Sequence, residues 1–239
     1  MAPPKRSAFA TVQGAFQACE RLFSSHYNAS DMEDALLDLG GAAQRLDPAA
    51  VKFAQAEWLD EAGVRLWNHA VWLRSGGQGG DISSLVASLQ WAAFRLIDVS
   101  AVGDAERAAD LASRAAVSLI DVDKTNLAQS TLERAAELVQ EGSTSCSRYW
   151  YARTNLALHQ DADSLAHYFW DKGASLQPLA RPLACVALNR AKVLLEQDPP
   201  SVTDAMHWLT KPELREYCST TESLKICFIK LESKYGHSC

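Results

Sequence analysis

Between Lys124 and Pro178 the chain reads as a helix, a turn, a second helix, another turn and a third helix. Within this stretch Ala166, Trp170, Gly173 and Pro178 stand at spacings of 0, 4, 7 and 12 residues. Positions 0, 4 and 7 share one face of a helix, and the proline closes the turn that follows. Two short helices pack closely only where a small residue on one admits a large residue from the other. Trp150, sixteen residues before Ala166, stands where the preceding helix needs a bulky anchor. Neither helix buries its apolar face alone, so the pair requires neighbours. That requirement constrains the whole chain.

The pattern matches the second helix of a tetratricopeptide-type (TPR) unit. It recurs on both sides. Ala128, Leu132 and Ala135 repeat the 0, 4, 7 spacing, and Ala205 and Leu209 repeat its first step before Pro212 takes the third position. The offsets are 38 and 39 residues, somewhat more than the roughly 34 of the commonest TPR. Alanine-rich helices also produce such spacings by chance, but the helix lengths and evenly placed breakers favour true repeats. A chain of 239 residues has room for about five to seven such pairs.

Read in order, residues 1–7 form a polar, disordered tail and residues 8–74 a set of N-terminal helices. The first runs from Ala8 to about His26 on Phe9, Val12, Phe16, Cys19, Leu22 and Phe23. Ser30 and Glu33 predict a capping box for the second, which Gly40-Gly41 loosens. Asp47 as N-cap and Pro48 at the first helical position predict a long third helix. Its apolar stripe includes Val51, Phe53, Trp58, Leu59, Leu66, Trp67, Val71 and Leu73. Residues 75–81 read as a flexible, glycine-rich linker. TPR-like repeats then fill 82–211, with Asp81, Asp104 and Asp123 as helix caps and helices over about 105–120, 124–141, 144–160, 162–175, 179–196 and 202–210. Residues 212–239 form a divergent tail or cap. Thr221–Tyr235 either closes the array or comes from an alternative splice or an inaccurate gene model. No segment alternates with period two, so the expected fold is all-α, a TPR-like α-solenoid of antiparallel helix pairs.

Composition narrows the function classes. The net charge of −6 argues against a bulk nucleic-acid binder, which concentrates positive charge on one face. The six cysteines are scattered with no CxxC pair, and Met1–Ala10 lacks a signal-peptide core, so reduced thiols are expected. The most apolar stretch, Leu85 to Val102, is interrupted by Gln90, Arg95 and Asp98, so no membrane span is expected.

Catalysis finds little support. His26, His69, His159, His167, His207 and His237 are dispersed, with no HExxH, GxSxG or phosphate loop. Gly76–Gly80 follows a helix and lacks the P-loop Lys-Ser/Thr. Cys218, Cys227, His237 and Cys239 carry zinc-binding atoms at separations of nine, ten and two residues, unlike a compact zinc site. The expected catalytic, cofactor and metal residues are therefore none, and the sequence does not name the partner-contact residues. Trp58, Trp67, Trp91, Trp150, Trp170 and Trp208 read as core anchors; Trp72 is the tryptophan placed for exposure to a partner. The acidic group Asp31, Glu33, Asp34 and Asp38 suits the positive end of a helix dipole, or a basic partner. Arg65, Arg74, Arg95, Arg107 and Arg114 read as solvated faces.

In their order and spacing, several segments resemble the meiotic TPR-scaffold family, the sporulation-specific "Spo-twenty-two" proteins of fungi and their "Zip-four" relatives. They are Leu66-Trp67-Asn68, Ala93-Phe94-Arg95-Leu96-Ile97-Asp98, Asn126-Leu127-Ala128, Leu132-Glu133-Arg134-Ala135-Ala136 and Tyr149 to Leu158. The likeness covers about residues 45–210 and stops after Lys211; members are usually several times longer, so this chain would be an N-proximal portion. It implies a non-enzymatic scaffold in the nucleus, on meiotic chromosomes. Such a scaffold gathers recombination and synapsis proteins by peptide or helix docking, promotes crossing over and initiates the synaptonemal complex. It implies no cofactor, no direct nucleic-acid binding and no membrane. A generic cytoplasmic TPR adaptor or co-chaperone is the alternative, and the regulatory subunit of an enzyme is a third reading.

Overall fold

The structure is a computed structural model that describes residues 7–24, 28–76, 82–100, 105–140, 142–176, 179–221, 225, 228–231 and 233. The expected caps Asp81 and Asp104, linker residues 77–80 and the turn-closing Pro178 lie outside the described residues. So do His26, Cys227, His237 and Cys239. Helices α1 (Ala8–Phe23), α2 (Ala29–Gln44), α3 (Phe53–Ser75), α4 (Ser83–Ser100), α5 (Ala105–Ile120) and α6 (Thr125–Leu138) come first. They are followed by α7 (Thr144–His159), α8 (Asp163–Ala174), α9 (Arg181–Glu196), α10 (Val202–Leu209) and α11 (Pro212–Thr220). No strand occurs among the described residues. The fold is all-α, with helices packed on their chain neighbours as in a helical repeat.

The chain divides into two compact units, Met1–Ser145 and Cys146–Cys239. In the first, α1 packs on α2, α3 on α4 and α5 on α6, and α4 joins the pairs by lying against both α2 and α5. That position buries α4 nearly all round, including Ser88, Gln90 and Arg95. Close approach is built in at Gly40, where a Cβ would lie 2.3 Å from the Trp91 ring. The helix passes straight through Gly40-Gly41. Gly40 is therefore a seat for Trp91, and the expected loosening does not occur. Polar ties cross the same helices. Glu33 on α2 accepts from Ser84 on α4 (2.7 Å) and from Lys124 (2.9 Å), and Lys124 also donates to Ser88.

In the second unit the small–large–small pattern performs the packing expected of it. Ala166 and Trp170 are fully buried, and Trp170 Nε1 donates to the Leu183 carbonyl at 2.8 Å. A Cβ on Gly173 would lie 2.6 Å from Leu183 Cδ1 and 2.9 Å from Trp150 Cβ, so only glycine lets α7, α8 and α9 meet there. Trp208 on α10 packs edge-on to Trp170.

Several expected boundaries shift. The N-cap of α2 is Asn28, whose side chain accepts from Ser30 N–H at 3.2 Å. Glu33 cannot complete a capping box because its carboxylate is held by Ser84 and Lys124. Asp47 and Pro48 open only a single 3-10 turn, Pro48–Ala50. Val51 and Lys52 are then extended, and α3 begins at Phe53 with the Gln55 side chain accepting from Lys52 N–H. Lys124 takes the N-cap position of α6, while Asp123 sits in the turn at φ 60°. Helix α6 ends at Leu138 because Val139 is extended. Pro212, expected to break the repeat, starts α11, where a missing N–H does no harm.

Candidate protein-docking site

Helices α1 and α3 meet along matching stripes. Phe9, Phe16, Glu20 and Phe23 fall on one face of α1, and Trp58, Arg65, His69 and Trp72 on one face of α3. The Trp58 ring takes both Phe9 (5.5 Å between centroids) and Phe16 (5.3 Å) edge-on. One turn on, the Arg65 guanidinium lies 5.5 Å above the Phe16 ring and pairs with Glu20. Further on, Phe23 packs on His69 (4.4 Å), and His69 on Trp72 (5.5 Å). The register advances in the same sense on both helices, so α1 and α3 run parallel, as first helices of successive pairs must.

Between them lies a pocket of about 270 Å³ lined by Phe16, Glu20, Phe23, Ser24, Arg65, Leu66 and His69. Phe16, Phe23 and Leu66 supply its apolar wall, Ser24 and His69 add polar groups, and its charge is confined to the Arg65–Glu20 pair. Burial lowers the pKa of His69 from its ordinary value, so the imidazole is neutral at pH 7. Its Nε2 is buried with no hydrogen-bond partner among the described residues. At the edge of the pocket Trp72 is 56% exposed, as its sequence position predicts, with Val71 beside it at 51%.

Other residues singled out in the sequence are structural. Trp91, Trp170 and Trp208 are buried, and Trp58 and Trp67 pack against the first core. Phe53 and Val71, expected on the buried stripe of α3, are exposed instead. They fall outside the face that contacts α1 and α4. Arg95 is buried beside Asp98, and Asp98 in turn takes the Arg134 guanidinium at 2.9–3.0 Å. It belongs to the interior rather than to a solvated face. Arg107 pairs with Asp60, Arg114 with Asp110, and Arg74 donates to Ser118. His167 and His207 do come together, their rings 4.0 Å apart, with Trp208 3.9 Å from His167. Burial and the neighbouring His207 and Lys211 push the His167 pKa down to about 4. Among the described residues no group of His, Cys, Asp and Glu is arranged to hold a metal ion. No helix among the described residues is long and apolar enough to cross a membrane.

The sequence carried one signal for this groove. Val71-Trp72-Leu73 places three large apolar residues in succession on a helix, and a helix cannot turn all three inward. The fold is that of an all-α helical-repeat protein with an aromatic groove between α1 and α3. Compared with family models, with curated proteins and with solved structures, the chain matches none.

Proposed function

We propose that this protein is a non-enzymatic helical-repeat scaffold that binds a segment of another protein on α1 and α3. The observation that carries this reading is the exposed Trp72 at the edge of the aromatic pocket. Tryptophan is among the residues most enriched at interaction hot spots, and a hollow beside it gives a partner side chain somewhere to go. The likeness of residues 45–210 to the meiotic scaffolds supports a finer reading, in which the bound segments belong to recombination and synapsis proteins on nuclear chromosomes.

The test is a fragment library of the source organism's own proteins, displayed and selected against the full chain, with counter-selection against Trp72→Ala. Fragments that bind the native chain and lose affinity for the variant support a scaffold acting through this surface. A selection that recovers nothing, or fragments indifferent to Trp72, would contradict it. The meiotic reading predicts expression confined to meiosis, and steady vegetative expression would sink it.

A further inference from the structure

We propose that the seam between α4 and α6 binds a small oxyanion of the phosphate or sulfate type, held by Arg95 and Thr131. This site lies apart from the docking surface and goes beyond the scaffold reading.

The two helices run parallel, tied by side chains at matched positions. Lys124, at the head of α6, donates to Ser88, and Arg134 donates to Asp98; each pair is 36 residues apart. Thr131 therefore stands level with Arg95, one turn before Arg134 and Asp98. Both side chains are enclosed: that of Arg95 is 10% exposed, and Thr131 is 1% exposed. Each holds a buried polar atom with no hydrogen-bond partner among the described residues, Nε of Arg95 and Oγ1 of Thr131.

Unmet donors, rather than net charge, call for a ligand. Two guanidiniums meet two carboxylates here, and Arg134 takes both. Its Nε and Nη2 hold Asp98 at 2.9–3.0 Å, and its Nη1 holds Glu137. Arg95 is left 4.0 Å from Asp98, beyond hydrogen-bonding reach. Burial lowers the pKa of Arg95; Asp98 opposes the shift, and the charge of Arg134 adds to it. An arginine nevertheless keeps its proton, so the seam encloses a charged fork with no acceptor of its own. Such a group is costly to bury. At the other end of the seam Lys124 reaches Glu33 as well as Ser88, so its charge is met.

The class of ligand follows from the donors. A neutral acceptor would satisfy the N–H groups of Arg95 and leave its charge, whereas an oxyanion answers both. A guanidinium fork takes two oxygens side by side, and the Thr131 hydroxyl can donate to a third. Depth limits the size. Only a group of a few atoms reaches side chains this enclosed, and it enters past Arg134, whose side chain is 34% exposed.

Isothermal titration calorimetry of the full chain with sodium phosphate and sodium sulfate, against sodium chloride at matched ionic strength, tests the site. Saturable binding of the oxyanions and none of chloride is expected. Arg95→Met should abolish that binding. Thr131→Val keeps the shape of the side chain and should weaken it about tenfold, which tests the site even should the methionine variant fail to fold. Circular dichroism checks the fold of both. General exclusion of these ions from protein surfaces acts on native chain and variants alike, so the difference between them reads the site. Titrations without saturation, equal binding of chloride, or affinity unchanged in Thr131→Val or in a folded Arg95→Met would overturn the proposal and leave the scaffold reading standing.

Discussion

Gly40 and Gly41 are adjacent on α2, yet replacing each with alanine should move stability in opposite directions. At Gly40 the new Cβ would lie 2.3, 2.7 and 2.8 Å from three carbons of the Trp91 ring, where carbon atoms prefer about 3.5–4.0 Å. The ring must retreat by about 1 Å, but Trp91 is 5% exposed and sits on the most enclosed helix of the unit. Overpacking of this kind costs about 1–3 kcal/mol, and the better helix propensity of alanine returns only about 1 kcal/mol. A clash with three ring atoms belongs at the upper end, so a net loss of about 1–2 kcal/mol is expected. At Gly41 the nearest atom is the flexible end of Arg45 at 3.6 Å, and propensity alone should add about 0.5–1 kcal/mol. The two melting temperatures should differ by roughly 5–10 °C, since 1 kcal/mol shifts a domain of this size by about 2–4 °C. Thermal melts and urea midpoints would check this. In a Trp91→Leu background the penalty at Gly40 should vanish, as a double-mutant cycle would show. If both alanines stabilise, the glycines merely loosen α2, and the packing account given above is wrong.

The pH dependence of the second unit follows from His167. Its folded pKa of about 4 lies below the unfolded value near 6.5, so between them the unfolded chain binds the extra proton and stability rises with pH. The contribution is complete above about pH 6.5 and is lost as pH falls towards 4. Discounted for partial exposure, it amounts to about 1–2 kcal/mol. His167→Phe keeps a stacking ring but should flatten that part of a pH series of urea midpoints. Lys124→Met should cost about 1 kcal/mol, because Glu33 keeps only Ser84; high salt should shrink the difference. Of the four described cysteines, Cys185 is partly exposed, while Cys19, Cys146 and Cys218 are buried. Burial pushes the Cys19 thiol up to about 11, so a thiol reagent should label Cys185 first and Cys19 only with unfolding, as peptide mapping would show.

The repeat was legible because a small–large–small triplet at helical spacing requires close packing wherever it occurs. Ala128, Leu132, Ala135, Ala166, Trp170, Ala205, Trp208 and Leu209 are all fully buried. What remained hidden is non-local. Nothing near Gly40 announces Trp91, which lies on another helix. Arg95 looks solvated until Arg134, 36 residues from Asp98, is brought to that carboxylate. Cap choice failed for a related reason: Ser30 and Glu33 form a sound local motif, but Glu33 finds stronger partners in Ser84 and Lys124. The docking groove was half visible. Trp72 stood out by itself, whereas its pocket exists only because α1 and α3 lie side by side.

The docking account is tested most directly by ¹⁹F NMR of the chain labelled with 5-fluorotryptophan, titrated with a protein fragment selected on the full chain. Trp72→Phe assigns the exposed resonance among the seven tryptophans. The account predicts that the Trp72 signal shifts and saturates with the binding isotherm while those of Trp170 and Trp208, in the core of the second unit, stay fixed. A fragment that saturates the protein and leaves Trp72 unmoved would contradict it.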